Sequence, residues 1–350
     1  MARNIALAVI AVIVALGVVG KDRIMARLRS RAESKIAAAT GKPTDKSAGT
    51  TPDKPTDNAP DTAGAPKVMT LPGLRKALKS SIGESKGDET PAPEPPAGDL
   101  EKVTYDAPLG KNVAYVTPVK PGARRPAIIW IHGGFNFGID GNMWEPSPRE
   151  NDQSAAGYRK AGIAEMYPAL RGTSGNPGHP ECFLGEVDDV LAAAEFLAKR
   201  ADVDPDRIYL GGHSTGGLMV LLAAASTPRF RTVFSFGPVA DPRQYGKSSC
   251  EPQDPPDNEA FPRSAIEWLH EIVTPTYVID GEKGNAGVFP MMRKRIGRAP
   301  ITFLTIPGAD HFSALGPGND VVAKAILADT GAKPGIHLTA EAIQAAMHAN

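Results

Sequence analysis

The chain has 350 residues, with 39 Lys and Arg against 39 Asp and Glu, a formal net charge of zero and a pI near 7.1. That balance excludes binding of nucleic acid through bulk basic charge, and no interleaved basic-aromatic pattern supplies another route. The length would admit two domains, but composition separates one globular region from its tails.

In chain order, residues 1–37 read as a membrane anchor with a basic flank. Ile5 to Val19 is uninterrupted Ile, Leu, Val, Ala and one Gly, enough with its flanks to cross a bilayer. A cleaved signal peptide with Ala15-Leu16-Gly17 as its site is the rival reading. Arg3 precedes the run and Lys21, Arg23, Arg27, Arg29 and Arg31 follow it, which by the positive-inside rule holds the rest of the chain on the cytoplasmic side. An extracytoplasmic or periplasmic location is the alternative.

Residues 38–99, rich in Pro, Thr, Asp and Lys, read as a disordered linker that cannot bury enough apolar surface to offset its ordering entropy. Within it, Leu74 to Lys79 reads as a transient helix without a role, or else an amphipathic helix resting on lipid.

From residue 100 to 335, strand-like and helix-like runs alternate, predicting an α/β domain with a mostly parallel sheet covered by helices on both faces. Pro126 to Ile131 reads as a buried strand followed by His132-Gly133-Gly134-Phe135, a glycine turn fit to present a backbone amide to developing negative charge. Val187, Val190, Leu191, Ala194 and Leu197 form a helical stripe. Glu186, Asp188 and Asp189 in its first turn read as complements to the helix dipole.

The strand ending Ile208-Tyr209-Leu210 leads into Gly212-His213-Ser214-Thr215-Gly216-Gly217 and then a helix from Leu218. A strand that reverses sharply into a helix leaves the serine hydroxyl exposed at the sheet edge, so Ser214 is the candidate nucleophile, with Gly134 and Thr215 as oxyanion donors. Serine needs a base. His311 follows the strand Ile301–Ile306 at the same edge, whereas His213 reads as a supporting residue and His132 as a brace for its loop. His179 with Cys182 does not make a metal site. No metal or cofactor is implied.

The acid should follow the strand Thr276–Ile279. Asp280 is the first candidate, with Glu282 and Asp241 as alternatives, each also readable as a turn-capping carboxylate. Residues 242–272 read as an insertion overhanging the nucleophile, with a short helix over Ser264–Ile272. Phe135 and Trp144 are pocket walls or plain packing. Residues 336–350 read as a helical tail. Cys182 and Cys250 are the chain's two cysteines, and their pairing is left open.

Four stretches resemble the prolyl oligopeptidase-like group of the α/β-hydrolase superfamily: Arg171-Gly172-Thr173-Ser174-Gly175, Asp204-Pro205-Asp206-Arg207-Ile208, Gly237-Pro238-Val239-Ala240-Asp241 and Gly308-Ala309-Asp310-His311-Phe312. With the elbow, the likeness spans about Val103 to Asp329. It implies the α/β-hydrolase fold and acyl hydrolysis through a serine, and it places the aspartate of the third stretch outside catalysis. The chain departs from the group in having Gly284 where an aspartate is expected, and in having no room for the β-propeller of its peptidases. The expected function is therefore ester hydrolysis, with peptide cleavage as the alternative and a catalytically degenerate, membrane-tethered scaffold as the reading from another class.

Overall fold

A computed structural model describes residues 70–80, 87–245 and 257–349. Eight strands form one sheet: β1 (Glu101–Ala107), β2 (Gly110–Val116), β3 (Arg125–Ile131), β4 (Ala164–Pro168), β5 (Val203–His213), β6 (Val233–Phe236), β7 (Thr276–Gly281) and β8 (Ile301–Ile306). Their spatial order is β1-β2-β4-β3-β5-β6-β7-β8. The pairs β1/β2 and β2/β4 are antiparallel, and all later neighbours are parallel. The helices of seven or more residues are α1 (Leu71–Ala77), α2 (Glu186–Ala198), α3 (Thr215–Ser226), α4 (Leu315–Ala328) and α5 (Ala340–Met347). This is the α/β-hydrolase-like arrangement expected.

Successive side chains of a strand face opposite ways, so a strand covered on both faces needs a continuous apolar run. β3 meets that demand. Ala127, Ile129 and Ile131 join the core on one face with α2 and α3, while Ile128 and Trp130 join the core on the other with α4 and α5. In register, Ile131 lies opposite Gly212, and Phe236 lies opposite both His213 and Ile279. The carboxyl ends of the central strands thus come together at one edge, where connecting loops carry the chemistry.

Two sequence expectations change. The island around Leu74 is not an idle helix. α1 is capped by Thr70, whose hydroxyl accepts from the Gly73 amide, and Leu71 and Leu74 enter the core. The buried Arg75 donates to Leu184 O at 2.7 Å and pairs with Asp188 at 2.9 Å. The 38–99 linker therefore contains structured pieces of the globular unit, which begins at Val68. Second, the Ser264–Ile272 segment forms 3-10 turns at Ala265–Glu267 and Leu269–Glu271 rather than a continuous helix. Its bonds close over three residues, as from Trp268 N to Ala265 O at 2.9 Å. This tighter winding buries Ile266, Trp268, Leu269 and Ile272 and leaves His270 exposed.

Residues 1–69, which hold the expected anchor, lie outside the described residues. Among the described residues no helix is long and apolar enough to cross a membrane.

Candidate active site

Ser214 sits between β5 and α3 with φ 57° and ψ −114°. For a residue with a Cβ this is strained backbone, sustained only when the surroundings dictate it. They do so through close packing: a Cβ on Gly216 would lie 2.1 Å from Ile131 O, so only glycine lets α3 start this near β3. The sharp turn leaves Ser214 half-buried and open to substrate.

His311 follows β8, and its Nδ1 lies 3.4 Å from Asp280 Oδ2 at the end of β7. Asp280 is almost fully buried, and its carboxylate also accepts from the amides of Gly281 and Asn285. The resemblance placed an acid at 284. A Cβ on Gly284 would fall 2.6 Å from Asp280 Oδ2, because the Asp280 carboxylate already fills that space. The alternatives lie elsewhere. Asp241 is engaged by Arg243 at 2.7 Å and by the Ser264 hydroxyl at 2.7 Å; burial pushes its carboxyl up, and these donors outweigh that and hold it below the usual range. Glu282 accepts from the Gly308 amide at 3.1 Å.

His213 supports the site, as expected. Its Nε2 donates to His311 O at 3.0 Å, and the two rings are 4.6 Å apart. Burial, with His311 adding to it, pushes the His213 pKa down to about 3, so this ring stays neutral and holds the His311 loop as a donor.

Gly134 has φ 96°, and its carbonyl accepts from the Thr215 hydroxyl. This joins the two expected oxyanion donors directly. The Gly134 amide has no partner among the described residues. His132 braces the loop, with Nδ1 2.7 Å from Gly133 O and Nε2 2.6 Å from Gly138 O.

Phe135 is 46% exposed and meets Tyr245 edge-on at 5.2 Å; Phe183 stacks on Tyr245 at 6.5 Å. The buried Tyr245 hydroxyl lies beside Ser214 and has no full hydrogen-bond partner among the described residues. Sequence reading missed Tyr245, since nothing local marks it. Trp144 packs edge-on against Tyr115 at 5.1 Å, as in its plain-packing reading. Cys182 is disulfide-bonded, which removes it from any metal reading; Cys250 lies outside the described residues.

The acids at the start of α2 do more than complement its dipole. Asp189 is fully buried and takes Arg171 in a two-pronged pair, at 3.0 and 2.9 Å, and also accepts from the Arg171 amide. Glu186 accepts from the Glu181 amide through Oε1, while Oε2 has no partner among the described residues. Burial pushes the Glu186 carboxyl up to about 7. The native state thus keeps a proton that the unfolded chain loses near pH 4.5, so this group's stabilisation is complete at low pH and is lost as pH rises towards 7. Glu186→Gln is expected to raise Tm at pH 8 and leave it nearly unchanged at pH 4; a thermal melt series across pH checks this, and equal shifts at both pH values would refute it.

The sequence profile described as "Prolyl oligopeptidase family" matches residues 179–289. Uncharacterized protein MT2364 of Mycobacterium tuberculosis is 30% identical over 227 residues, covering 62% of this chain and 78% of the relative. The chain belongs to the prolyl oligopeptidase-like α/β-hydrolases. This serine hydrolase is also 29% identical over 175 residues to "Putative esterase NocK" of Nocardia uniformis subsp. tsuyamanensis, covering 47% of this chain and 49% of the relative. In fold it is similar to a Mycobacterium tuberculosis puromycin-hydrolyzing peptidase, with a TM-score of 0.53 at 20% identity over 66% of this chain. The hydrolase spans 39% of that peptidase's length.

Proposed function

We propose that the protein is an esterase whose Ser214 hydroxyl attacks the carbonyl of an acyl ester. His311 takes the serine proton as the bond to carbon forms, then gives it to the departing alcohol; water reverses the sequence and frees the acid. Asp280 orients His311 and stabilises its charged form. The amides of Gly134 and Thr215 hold the oxyanion. The single observation carrying this reading is the Asp280–His311 contact, made at the sheet edge that bears the strained serine.

The exposed Phe135 and Phe312 flank the site and favour an apolar acyl or aromatic group in the substrate. A peptidase reading is second; the puromycin-hydrolyzing peptidase supports it by fold alone. The chain is further proposed to be tethered by residues 5–19, with the catalytic unit on the cytoplasmic side by the charge bias of Lys21 to Arg31.

Fluorophosphonate labelling tests the reading, because the reagent requires an activated serine. Wild type is expected to label, Ser214→Ala not at all, and His311→Ala at least about a hundredfold more slowly. A folded wild-type chain that fails to label would overturn the hydrolytic reading and leave the scaffold in its place.

A further inference from the structure

The stretch from Gly87 to Leu100, polar and rich in proline, lies against the domain. Leu100 and Ala92 are buried, and Pro93 O accepts from the Tyr115 hydroxyl at 2.6 Å. Its upstream end meets the loops at the active-site edge. Asp88 N donates to Gly172 O at 2.8 Å, and Gly175 N donates back to Asp88 O at 3.2 Å, a two-bond pairing with the loop after β4. Contact there is close enough that a Cβ on Gly87 would fall 2.2 Å from Gly172 O. The Asp88 side chain then reaches the other loop: Asn136 Nδ2 donates to Asp88 Oδ2 at 2.9 Å.

Asn136 sits two residues beyond Gly134. Its Oδ1 accepts from Gly138 N at 2.9 Å, and Gly138 O is the acceptor facing His132 Nε2. The loop from 133 to 138 is also tied to the loop after β4, through Leu170 N to Phe137 O at 3.1 Å and Ile139 N to Ser174 Oγ at 3.0 Å. Among these ties, only the one through Asn136 depends on a residue upstream of β1. Gly134, Phe135 and Asn136 are exposed, and the Thr215 hydroxyl on Gly134 O and the edge-on Phe135–Tyr245 contact hold the turn from one side, while Asp88 holds it through Asn136.

We propose that Asp88 is a positioning residue for catalysis: by latching Asn136 to the backbone at Gly172 and Gly175, it sets the direction of the Gly134 amide. The inference rests on the esterase reading of Ser214 and Gly134. An oxyanion donor acts only if it is already aimed before charge develops, so its loop must be stiff in the free enzyme. The stretch before β1 supplies that stiffness from outside the sheet, making it part of the catalytic apparatus rather than a spacer. Asp88 touches no substrate atom; its effect passes through Asn136.

The test uses the full chain with p-nitrophenyl butyrate as substrate and butylboronic acid as a mimic of the tetrahedral adduct. Losing one oxyanion donor outright costs about 10²–10³ in kcat, so loosening one is expected to cost about tenfold in Asp88→Ala, with KM within about twofold. Boronate affinity should fall by the same factor. Asp88→Asn keeps an acceptor for Asn136 and should recover most of the loss. Asn136→Ala, which also removes the acceptor of the Gly138 amide, should cost at least as much as Asp88→Ala, and the double variant should be little worse than Asn136→Ala alone, as expected when the Asp88 effect passes through the shared contact. A purely structural role would lower Tm without separating kcat from KM. If wild type is active and Asp88→Ala keeps its kcat and boronate affinity, the positioning role is overturned and the esterase reading stands. If folded wild type neither hydrolyses the ester nor labels with fluorophosphonate, both fall.

Discussion

Asp280→Asn is expected to lower kcat by about 10³–10⁴-fold with the fold intact, because an amide in this place favours the wrong tautomer of His311. The geometry explains why so small a change has so large an effect. Asp280 is the carboxylate within reach of His311 Nδ1, and two backbone amides fix its direction. Glu282→Gln and Asp241→Asn are expected to keep kcat within about threefold of wild type, since neither carboxylate contacts His311; Asp241→Asn weakens its pairing with Arg243, so its cost falls on Tm rather than on kcat. Pre-steady-state acylation with p-nitrophenyl acetate, with thermal melts run in parallel, measures this directly. An Asp280→Asn enzyme within tenfold of wild type, beside an inactive Asp241→Asn or Glu282→Gln, would reassign the acid.

Arg171→Met should have the largest effect on stability. It leaves Asp189 fully buried with its guanidinium partner gone, a loss of about 3–5 kcal/mol, or roughly 10 °C in Tm for a domain of this size. The same change frees Glu181, whose carboxylate lies 2.7 Å from Arg171 Nη1. The pair carries the loop from Arg171 to Gly185, and that loop presents Phe183 to Tyr245 and Gly172 to Asp88. A double change to Arg171→Met and Asp189→Leu should recover much of the stability, since both charges are then removed together. Calorimetry on the three proteins decides the matter: a single variant as stable as wild type would show that the pair is not a keystone of the loop.

The features legible in the sequence were those with a local cause. The unbroken apolar run of β3 and the glycines around Ser214 are dictated by immediate neighbours, so the sheet, the elbow and the position of His311 are legible in the sequence. Asp280 was also reachable, as the first carboxylate beyond a clear strand. The remainder depends on distant partners. α1 offers only two core leucines, and its docking becomes apparent only when Leu184, Asp188 and Glu271 are brought to it. Asp188 and Asp189 satisfy the ordinary rule for a helix start, which hides their pairing with Arg75 and Arg171 outside the helix. The 3-10 turns of the insertion are not legible because an apolar, helix-like composition does not report how tightly the backbone winds against its neighbours.

The contact between Asp280 and Gly284 makes these two positions interdependent. The space beside His311 accommodates a single carboxyl group, which in the proposed triad comes from the strand end rather than from the turn four residues later. A branch of this lineage that moved the acid to the turn would have had to surrender the strand-end aspartate in the same step or pass through an overfilled intermediate. The two positions should therefore vary as exchanging partners, with an acid at one and a small residue at the other.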